Sequence, residues 1–249
     1  MTVAVRDTHY HGRLSHFKVL SFDCYGTLVD WETGIWNALQ PLLAITGRRE
    51  REAALIRFGD HESAQEQETP NLRYSELLAR VHARLAAEWG VAPNEAAGRA
   101  FGASVGDWPV FPDSAEALAY LKRHFKLVIL SNVDRASFAR SNAKLGVEFD
   151  AICTAEDIGS YKPSPANFRY LVARVQEMGN RPLQLLHVAQ SLFHDHAPAN
   201  AANIHSAWID RRSGSGWGAT PEPGGDVHYD YRFTDLAGLV EAHRAEQTR

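Results

Sequence analysis

Short apolar strand patterns alternate with amphipathic helix patterns along most of this chain, and that alternation limits its possible folds more than any other feature. Runs of leucine, β-branched and aromatic residues with the length of buried strands occur at residues 17–22, 125–130, 149–154, 183–188 and 204–209. Helix start signals stand between them, since residues 113–116 resemble a capping box and Ser164 is followed by a proline at the first helical position. The alternation predicts an α/β fold in which helices wrap a parallel sheet.

The block between about residues 31 and 112 departs from this alternation. It contains long segments with helical spacing, such as residues 74–89, and no strand pattern. We interpret it as a helical cap inserted into a doubly wound, Rossmann-like core. The predicted division is residues 1–30 for the first part of the core, 31–112 for the cap and 113–249 for the second part of the core. Residues 213–225, rich in Gly, Ser and Pro, predict a surface loop before the last strand and helix.

The composition is that of an ordinary globular protein. At 249 residues the chain is long enough for one substantial core with a smaller insertion. Hydrophobic residues make up 45% and charged residues 22%, which argues against disorder. The formal net charge of minus 4 and the lack of a long basic run argue against a nucleic-acid partner. No apolar stretch approaches the ~20 residues that cross a bilayer. Without such a stretch or a secretory apolar segment, we expect the protein to be cytoplasmic. Cys24 and Cys153 are too few for a disulfide framework, so we expect both to be reduced.

Polar side chains gather where the strand patterns stop. The first pattern leads directly into an aspartate, and similar positions further along the chain complete a set of six: Asp23, Ser131, Asn132, Lys162, Ser191 and Asp195. Each residue alone is typical of a turn, a helix cap or a solvated surface. The carboxyl ends of parallel strands, however, meet at one edge of a sheet, where the connecting loops form a ligand-binding crevice. The whole set therefore predicts a site at that edge.

Four motifs in this order resemble those of the haloacid dehalogenase superfamily, and within it the L-2-haloacid dehalogenases of the type II branch. They are DCYGTL at residues 23–28, LSN at 130–132, YKP at 161–163 and HVAQSLFHD at 187–195. With their flanking strands they extend from residue 17 to about 211. The resemblance implies a Rossmann-like core, a helical cap and an aspartate nucleophile, Asp23.

Phosphatases of this superfamily place a second aspartate two residues after the nucleophile and a magnesium-binding aspartate in the fourth motif. This sequence has Tyr25 and Gln190 at those positions. Without a metal, a carboxylate facing a phosphate dianion meets a repulsion of roughly 4 kcal/mol per charge pair in a partly buried site. Halide leaves without a proton, so its displacement needs neither the metal nor the acid. We therefore expect no cofactor and no metal, and we do not interpret His194 and His196 as metal ligands.

The predicted mechanism is covalent catalysis by a carboxylate. The resemblance implies that Asp23 displaces halide from a small 2-haloalkanoic acid and that water then cleaves the aspartyl ester to give the 2-hydroxy acid. Lys162 is expected to keep Asp23 ionised by lowering its pKa, and the Thr27 hydroxyl to hold one of its oxygens. Asp195, helped by Ser191, is expected to orient or deprotonate the water.

Further residues are predicted to bind the substrate. Its carboxylate is expected to meet side chains after the second strand and backbone amides after the first, and the cap is expected to supply the leaving-group pocket. These candidates are Ser131, Asn132, Cys24, Tyr25, Arg57 and Trp31. Two positions depart from the dehalogenase pattern: Phe168 replaces a tyrosine, and the fourth motif reads AQS followed by HDH instead of SSN.

Other functions remain open. The same chemistry with a different leaving group beside a carboxylate, for instance the nitrogen of a strained cyclic amino acid, is one alternative. A magnesium-dependent phosphatase or a catalytically silent carboxylate-binding relative fits the residues less well. The expected partner is a small carboxylic acid, and the resemblance is compatible with a homodimer.

Overall fold

Six parallel strands form one sheet in the computed structural model, which describes residues 12–213, 219–222 and 224–248. The strands are β1 (Val19–Phe22), β2 (Lys126–Ser131), β3 (Ala151–Thr154), β4 (Leu185–Ala189), β5 (His205–Ile209) and β6 (Tyr231–Phe233). Their order across the sheet is β3-β2-β1-β4-β5-β6, and every neighbouring pair is parallel. The five predicted strand patterns all form strands, which confirms the α/β fold class.

Ten α-helices within the described residues connect and cover these strands. They are α1 (Trp31–Thr46), α2 (Arg51–Glu68), α3 (Tyr74–Glu88), α4 (Glu95–Ala103), α5 (Ser114–Leu121), α6 (Arg135–Leu145), α7 (Ala155–Ile158), α8 (Pro165–Glu177), α9 (Ala197–Ala201) and α10 (Leu236–Gln247). None of these described helices is both long and apolar enough to cross a membrane. Cys24 and Cys153 are buried and not bonded to each other.

The first four helices, with the 3₁₀ turn Ser104–Asp107, lie within the block predicted as a cap. We call residues 31–107 the helical insertion. They contain no strand, although the domain boundaries themselves stay a prediction. Residues 1–11 of the first predicted segment, and residues 214–218 and 223 of the predicted surface loop, lie outside the described residues.

The sheet is buried on both faces. Successive side chains of a strand point to opposite faces, so each strand contributes to an apolar cluster on either side. Leu127 and Ile129 of β2 join an apolar cluster that also contains residues of the helical insertion, α5 and α10. Val128 and Leu130 of the same strand join a second cluster with residues of α8. The strands can therefore be apolar throughout, as their sequence patterns indicated.

The strand register brings three chain segments to one edge of the sheet. Phe22 at the end of β1 pairs with Ile129 of β2 on one side and with Val188 of β4 on the other. The residues that follow these positions start from neighbouring points along the carboxyl edge. This is the edge at which the sequence predicted a site.

The Asp134 carboxylate links the helical insertion to the loops at that edge through hydrogen bonds. Asp134 caps α6 by accepting a hydrogen bond from the Ser137 backbone N–H at 2.9 Å. Its second oxygen accepts the Ser75 N–H at 3.1 Å, at the start of α3. The Tyr161 hydroxyl donates to the Leu72 carbonyl just before α3. The amino end of α3 is thereby held next to the loops that follow β2 and β3.

Close packing of α4 on α3 gives a test of the helical insertion. A Cβ added at Gly102 of α4 would lie 2.0 Å from the Ser75 carbonyl oxygen, so Gly102→Ala forces the two backbones apart. We expect it to lower the free energy of unfolding by about 1–3 kcal/mol, measured by denaturant titration. Gly225→Ala is the control, since nothing lies within 4 Å of its added Cβ. Equal stability of the two variants would contradict the described helix packing.

Candidate active site

Asp23 lies at the centre of the carboxyl edge, directly after β1. One of its oxygens, Oδ2, accepts a hydrogen bond from the Thr27 hydroxyl at 2.8 Å. The turn between them depends on Gly26, whose φ of 96° strains any residue with a Cβ. Thr27 Oγ1 also accepts the Gln190 backbone N–H at 2.9 Å, which joins the loops after β1 and β4. Thr27 thus orients the carboxylate as predicted from the first motif.

Lys162 joins two carboxylates beneath the pocket. Its Nζ donates to Asp23 Oδ1 at 2.8 Å, to Asp195 Oδ1 at 2.7 Å and to the Leu130 carbonyl at 3.1 Å. The side chain is 2% exposed, and these three contacts use all three ammonium hydrogens. Burial alone would lower the pKa of Lys162, but the two carboxylates outweigh burial and raise it. The lysine is therefore a fixed cation with no donor left for a substrate.

The net pKa of Asp23 lies above its ordinary value, although Lys162 acts on it in the predicted direction. Burial raises it most, and the nearby charge of Asp195 raises it further. Lys162 lowers it, as expected, and so does the hydrogen bond from Thr27. Because burial exceeds these two effects, the pKa of Asp23 lies above its ordinary value. The predicted lowering by Lys162 is present, but a strand pattern does not reveal how deeply the carboxylate after it is buried.

Asp195 is fully buried and accepts its hydrogen bonds through one oxygen. Oδ1 accepts from Lys162 and lies 2.9 Å from His187 Nε2. Oδ2 has no hydrogen-bond partner among the described residues. Burial favours a raised pKa, but Lys162 and His187 together lower it below the ordinary range for aspartate. Asp195 is thus ionised and only weakly basic, which suits it to orienting a water better than to taking its proton.

Ser191 lies in the pocket wall, but its hydroxyl contacts His194 rather than the Asp195 carboxylate. Oγ accepts the His194 backbone N–H at 3.0 Å and lies 3.2 Å from His194 Nδ1. This contact caps the π-helical turn Leu192–His196. The predicted assistance to Asp195 is therefore not seen, and His187 makes the contact instead.

Phe168, where dehalogenases have a tyrosine, packs against this same histidine. The two ring centroids lie 5.4 Å apart at an interplanar angle of 84°. His187 Nδ1 lies 2.8 Å from Ser21 Oγ, so both ring nitrogens of the buried imidazole have partners. The strand residue His187 thus supplies a polar contact to Asp195 beside an aromatic ring that has no hydroxyl.

Asn132 is not free to bind a substrate through its side chain. Its Oδ1 accepts the Lys162 backbone N–H at 2.7 Å, while Nδ2 donates to the Lys162 carbonyl at 3.0 Å and to Glu66 Oε1 at 3.2 Å. This corrects the predicted role, because the amide positions the lysine loop instead. Ser131 differs, since its hydroxyl is buried, lines the pocket and has no partner among the described residues.

The two residues after Asp23 have different surroundings. Tyr25 lines the pocket with its ring, and its hydroxyl lies 2.9 Å from Ser141 Oγ. The ring also packs edge-on against Trp108, with centroids 5.5 Å apart. The Cys24 side chain is fully buried, and Cys24 is not among the residues that line the pocket.

Arg57 does not line the pocket, so its predicted placement is wrong. Its side chain is 45% exposed and forms ion pairs with Glu88 at 2.7 Å and Asp60 at 2.6 Å. Local spacing did not reveal that this position lies on the outer face of α2. Trp31, at the start of α1, does line the pocket, and its ring packs against Phe58 with centroids 6.2 Å apart.

Residues of the sheet edge and of the helical insertion line a small, partly open cavity of about 50 Å³. Its walls are formed by Asp23, Tyr25, Trp31, Glu62, Glu66, Tyr74, Ser131, Asn132, Lys162, Gln190, Ser191, His194, Asp195 and Thr220. Our sequence reasoning missed the two glutamates. They continue the stripe of buried α2 residues that begins with Leu55 and Phe58, at helical spacings of three and four. The sequence signal for them is their spacing, because Glu62 and Glu66 lie on the same face of the helix as the apolar residues before them.

The two glutamates are buried one helical turn apart. Tyr74 donates its hydroxyl hydrogen to Glu62 Oε1, and Asn132 donates to Glu66 Oε1 at 3.2 Å. Burial raises the pKa of Glu62 to about 7. Burial also raises the pKa of Glu66 well above its ordinary value, with a further contribution from the charge of Glu62. The helical insertion therefore presents an acidic wall to Asp23.

The polar residues do not fit a magnesium site of the phosphatase kind. Gln190 stands at the position of the magnesium-binding aspartate and Tyr25 at that of the second aspartate, and the Tyr25 hydroxyl faces Ser141. Within the described ranges, no group of three or more His, Cys, Asp or Glu side chains is arranged to hold a metal ion. His196 is buried between Ser206 and the Ala189 carbonyl, so it does not face the pocket.

Comparison with solved structures shows the same fold. L-2-haloacid dehalogenase from Xanthobacter autotrophicus with chloropropionic acid covalently bound superposes with a TM-score of 0.74 at 19% identity, over 92% of this chain and 98% of that chain. A defluorinating L-2-haloacid dehalogenase gives 0.71 at 22% identity, over 92% and 95% of the two chains. A haloacid dehalogenase-type hydrolase from Bacillus subtilis bound to magnesium gives 0.74 at 16% identity, over 94% and 100%.

Family membership rests on the sequence. Among curated proteins, none matches this chain. A profile of the haloacid dehalogenase-like hydrolases matches residues 17–190, which is more than half of the chain and includes Asp23 and Lys162. The resemblance inferred from the four motifs is thereby confirmed, and this protein belongs to the haloacid dehalogenase-like hydrolase family.

Proposed function

We propose that this protein is a metal-independent hydrolase that displaces halide from a small 2-haloalkanoic acid through an aspartyl ester on Asp23. The contact that carries the proposal is the hydrogen bond of 2.8 Å between Lys162 Nζ and Asp23 Oδ1 in a buried site. A lysine there balances the nucleophile's charge and takes up developing charge without any metal. Thr27 fixes the other oxygen, so the carboxylate is oriented before the substrate arrives.

In the first step a carboxylate oxygen of Asp23 attacks the carbon that bears the halogen. The new C–O bond forms as the C–halogen bond breaks, and the halide leaves with the bonding electrons. The attack inverts the configuration of that carbon. The backbone amides of Cys24 and Tyr25, together with the unpartnered Ser131 hydroxyl, are suited to hold the substrate carboxylate.

In the second step water attacks the carbonyl carbon of the ester at Asp23. The bond between that carbon and the bridging ester oxygen, which came from Asp23, breaks. This oxygen leaves as the hydroxyl of the 2-hydroxy acid with one proton of the water, the other proton passes to the solvent, and the Asp23 carboxylate is restored with one oxygen from water. Asp195 Oδ2, which is buried and unpartnered among the described residues, is the acceptor that orients this water. Lys162 offsets the negative charge that develops on the carbonyl oxygen.

A covalent intermediate is supported by the Xanthobacter dehalogenase, which has the same fold and holds chloropropionic acid covalently bound. A second candidate keeps the aspartyl ester but displaces the nitrogen of a strained cyclic amino acid. The acidic wall of Glu62 and Glu66 favours it, since such a nitrogen is cationic when protonated. Halide release from 2-chloropropionate and ring opening of azetidine-2-carboxylate distinguish the two.

Isotope transfer tests the covalent step. A single turnover with enzyme in excess, in ¹⁸O-labelled water, is expected to place the label in Asp23, because water attacks the ester carbonyl there. Mass spectrometry of the peptide that contains residue 23 measures it. Asp23→Asn is expected to lower halide release by at least about a thousandfold, whereas Asp60→Asn, at an exposed aspartate of α2, leaves it unchanged. Label found only in the product hydroxyl, or turnover confined to p-nitrophenyl phosphate with Mg²⁺, would contradict the proposal.

The pH dependence of ester formation follows from the raised pKa of Asp23. The nucleophile acts only when ionised, so the rate is present above that pKa and is lost as pH falls through it. We expect the acid limb of single-turnover rates to lie above the ordinary value of 3.8. Lys162→Met removes the neighbouring cation and is expected to move the limb to higher pH, while Lys122→Met, at a partly exposed lysine, leaves it in place.

Because Lys162→Met leaves two carboxylates buried without their cation, its folding is checked by thermal denaturation. The wild-type limb is informative even if this variant does not fold. A wild-type limb at or below 3.8 would show that burial does not dominate at Asp23.

A further inference from the structure

The charges around the cavity do not balance. Carboxyl groups of Asp23, Asp195, Glu62 and Glu66 line it, whereas among the described lining residues the only lysine or arginine is Lys162. Two carboxylates beside one ammonium already give the sheet edge a formal charge of minus one. The two glutamates of α2 add further acidic groups to the lining of the same cavity.

No cation of the described chain is left to pair with these glutamates. All three hydrogens of the Lys162 ammonium are used at the sheet edge. His194 Nε2 is 4.0 Å from Glu66 Oε2, but burial lowers the pKa of His194 to about 4, so that imidazole is neutral at pH 7. Arg57, on the same helix, points outward to Glu88.

Buried carboxyl groups without a cation are costly unless a proton or a ligand neutralises them. Burial raises the pKa of both Glu62 and Glu66, which favours a proton on the pair. The other titratable groups that line the cavity are Tyr74 of α3, His194 of the π-helical turn, and Tyr25, Lys162, Asp23 and Asp195 at the sheet edge. Among them, Tyr74 lowers the pKa of Glu62 and Lys162 lowers that of Glu66, in both cases against the larger effect of burial. A cation placed between the pair and the sheet edge would take over the role of that proton.

Unpartnered groups in the same cavity independently indicate a ligand. Ser131 Oγ and Asp195 Oδ2 are buried, line the cavity and have no hydrogen-bond partner within the described part of the chain. Buried polar atoms of this kind are normally satisfied by protein, water or ligand. Ser131 lies at the end of β2, on the sheet side of the cavity that the α2 glutamates also line. The cavity therefore has unpartnered polar groups on its sheet side and acidic groups on its α2 side.

We propose that the substrate carries a protonated amine, which binds between Glu62 and Glu66, in addition to the carboxylate and reacting carbon of the proposed function. The inference rests on that function because it specifies the substrate of the same site. The ligand class is a small zwitterion: its carboxylate lies towards Ser131 and the loop after β1, and its ammonium lies towards α2.

Binding of two unreactive ligands tests the amine site without any chemistry. β-Alanine and butyrate have the same chain length and carboxylate, and differ in an ammonium against a methyl group. Isothermal titration calorimetry with the wild-type protein is expected to show at least about tenfold tighter binding of β-alanine, because only the ammonium pairs with the glutamates. Equal affinities, tighter binding of butyrate, or no measurable binding of β-alanine would overturn the inference.

Matched variants locate the effect on the two glutamates. Glu62→Gln and Glu66→Gln keep the side-chain shape and remove the charge, so each is expected to reduce the affinity ratio at least about fivefold. Glu68→Gln is the control on the same helix, since the Glu68 side chain is 56% exposed and pairs with Arg84. A ratio unchanged in both buried-site variants would also overturn the inference. Two single variants keep the test usable if one of them fails to fold.

Halide release separates this inference from the proposed function. The matched substrates are 2-chloro-3-aminopropionate and 2-chlorobutyrate, which again differ in an ammonium against a methyl group. Faster turnover of the amino compound supports both proposals, and equal or faster turnover of 2-chlorobutyrate supports the hydrolase and overturns the amine site. If β-alanine binds more tightly than butyrate but neither compound releases halide, the amine site is supported and the proposal that halide is the leaving group is contradicted.

Discussion

The site depends on a single buried ammonium. Lys162 holds Asp23 and Asp195 within 2.8 Å of its Nζ and ties both to the end of β2 through the Leu130 carbonyl. Two carboxylates so close together in a buried site would otherwise protonate or separate. The lysine is positioned in turn by Asn132, whose side-chain amide forms hydrogen bonds with both the N–H and the carbonyl of Lys162. The loops after four strands therefore act as one unit.

The helical insertion contributes chemistry as well as cover. Its α2 brings Glu62 and Glu66 into the cavity, while the tether between Asp134 and Ser75 fixes the end of α3 from which Tyr74 contacts Glu62. The pocket is thus acidic on the α2 side, opposite the single lysine at the sheet edge. In the proposed reaction, residues of the sheet edge attack the substrate, and residues of the helical insertion select it.

Sequence reasoning succeeded where local chemistry decides the outcome. Strand positions were predictable because buried parallel strands are short apolar runs, and the placement of Asp23, Thr27 and Lys162 was predictable because their motifs follow those strands. The prediction for Arg57 was wrong because the local sequence does not distinguish an arginine on the inner face of a helix from one on the outer face. Asn132 was found, but its role was misread, since its partners Lys162 and Glu66 come from distant segments.

The amino-acid sequence by itself determined the α/β core, the order of the motifs and the position of the candidate nucleophile, because hydrophobic periodicity and turn residues act over a few positions. Only the tertiary structure decided the net pKa of Asp23, the partner of Asp195 and the acidic character of the pocket. Each of these depends on burial and on distances between residues far apart in the chain. Electrostatic energies vary with those same quantities, so they emerge only when the sheet and the helical insertion are assembled.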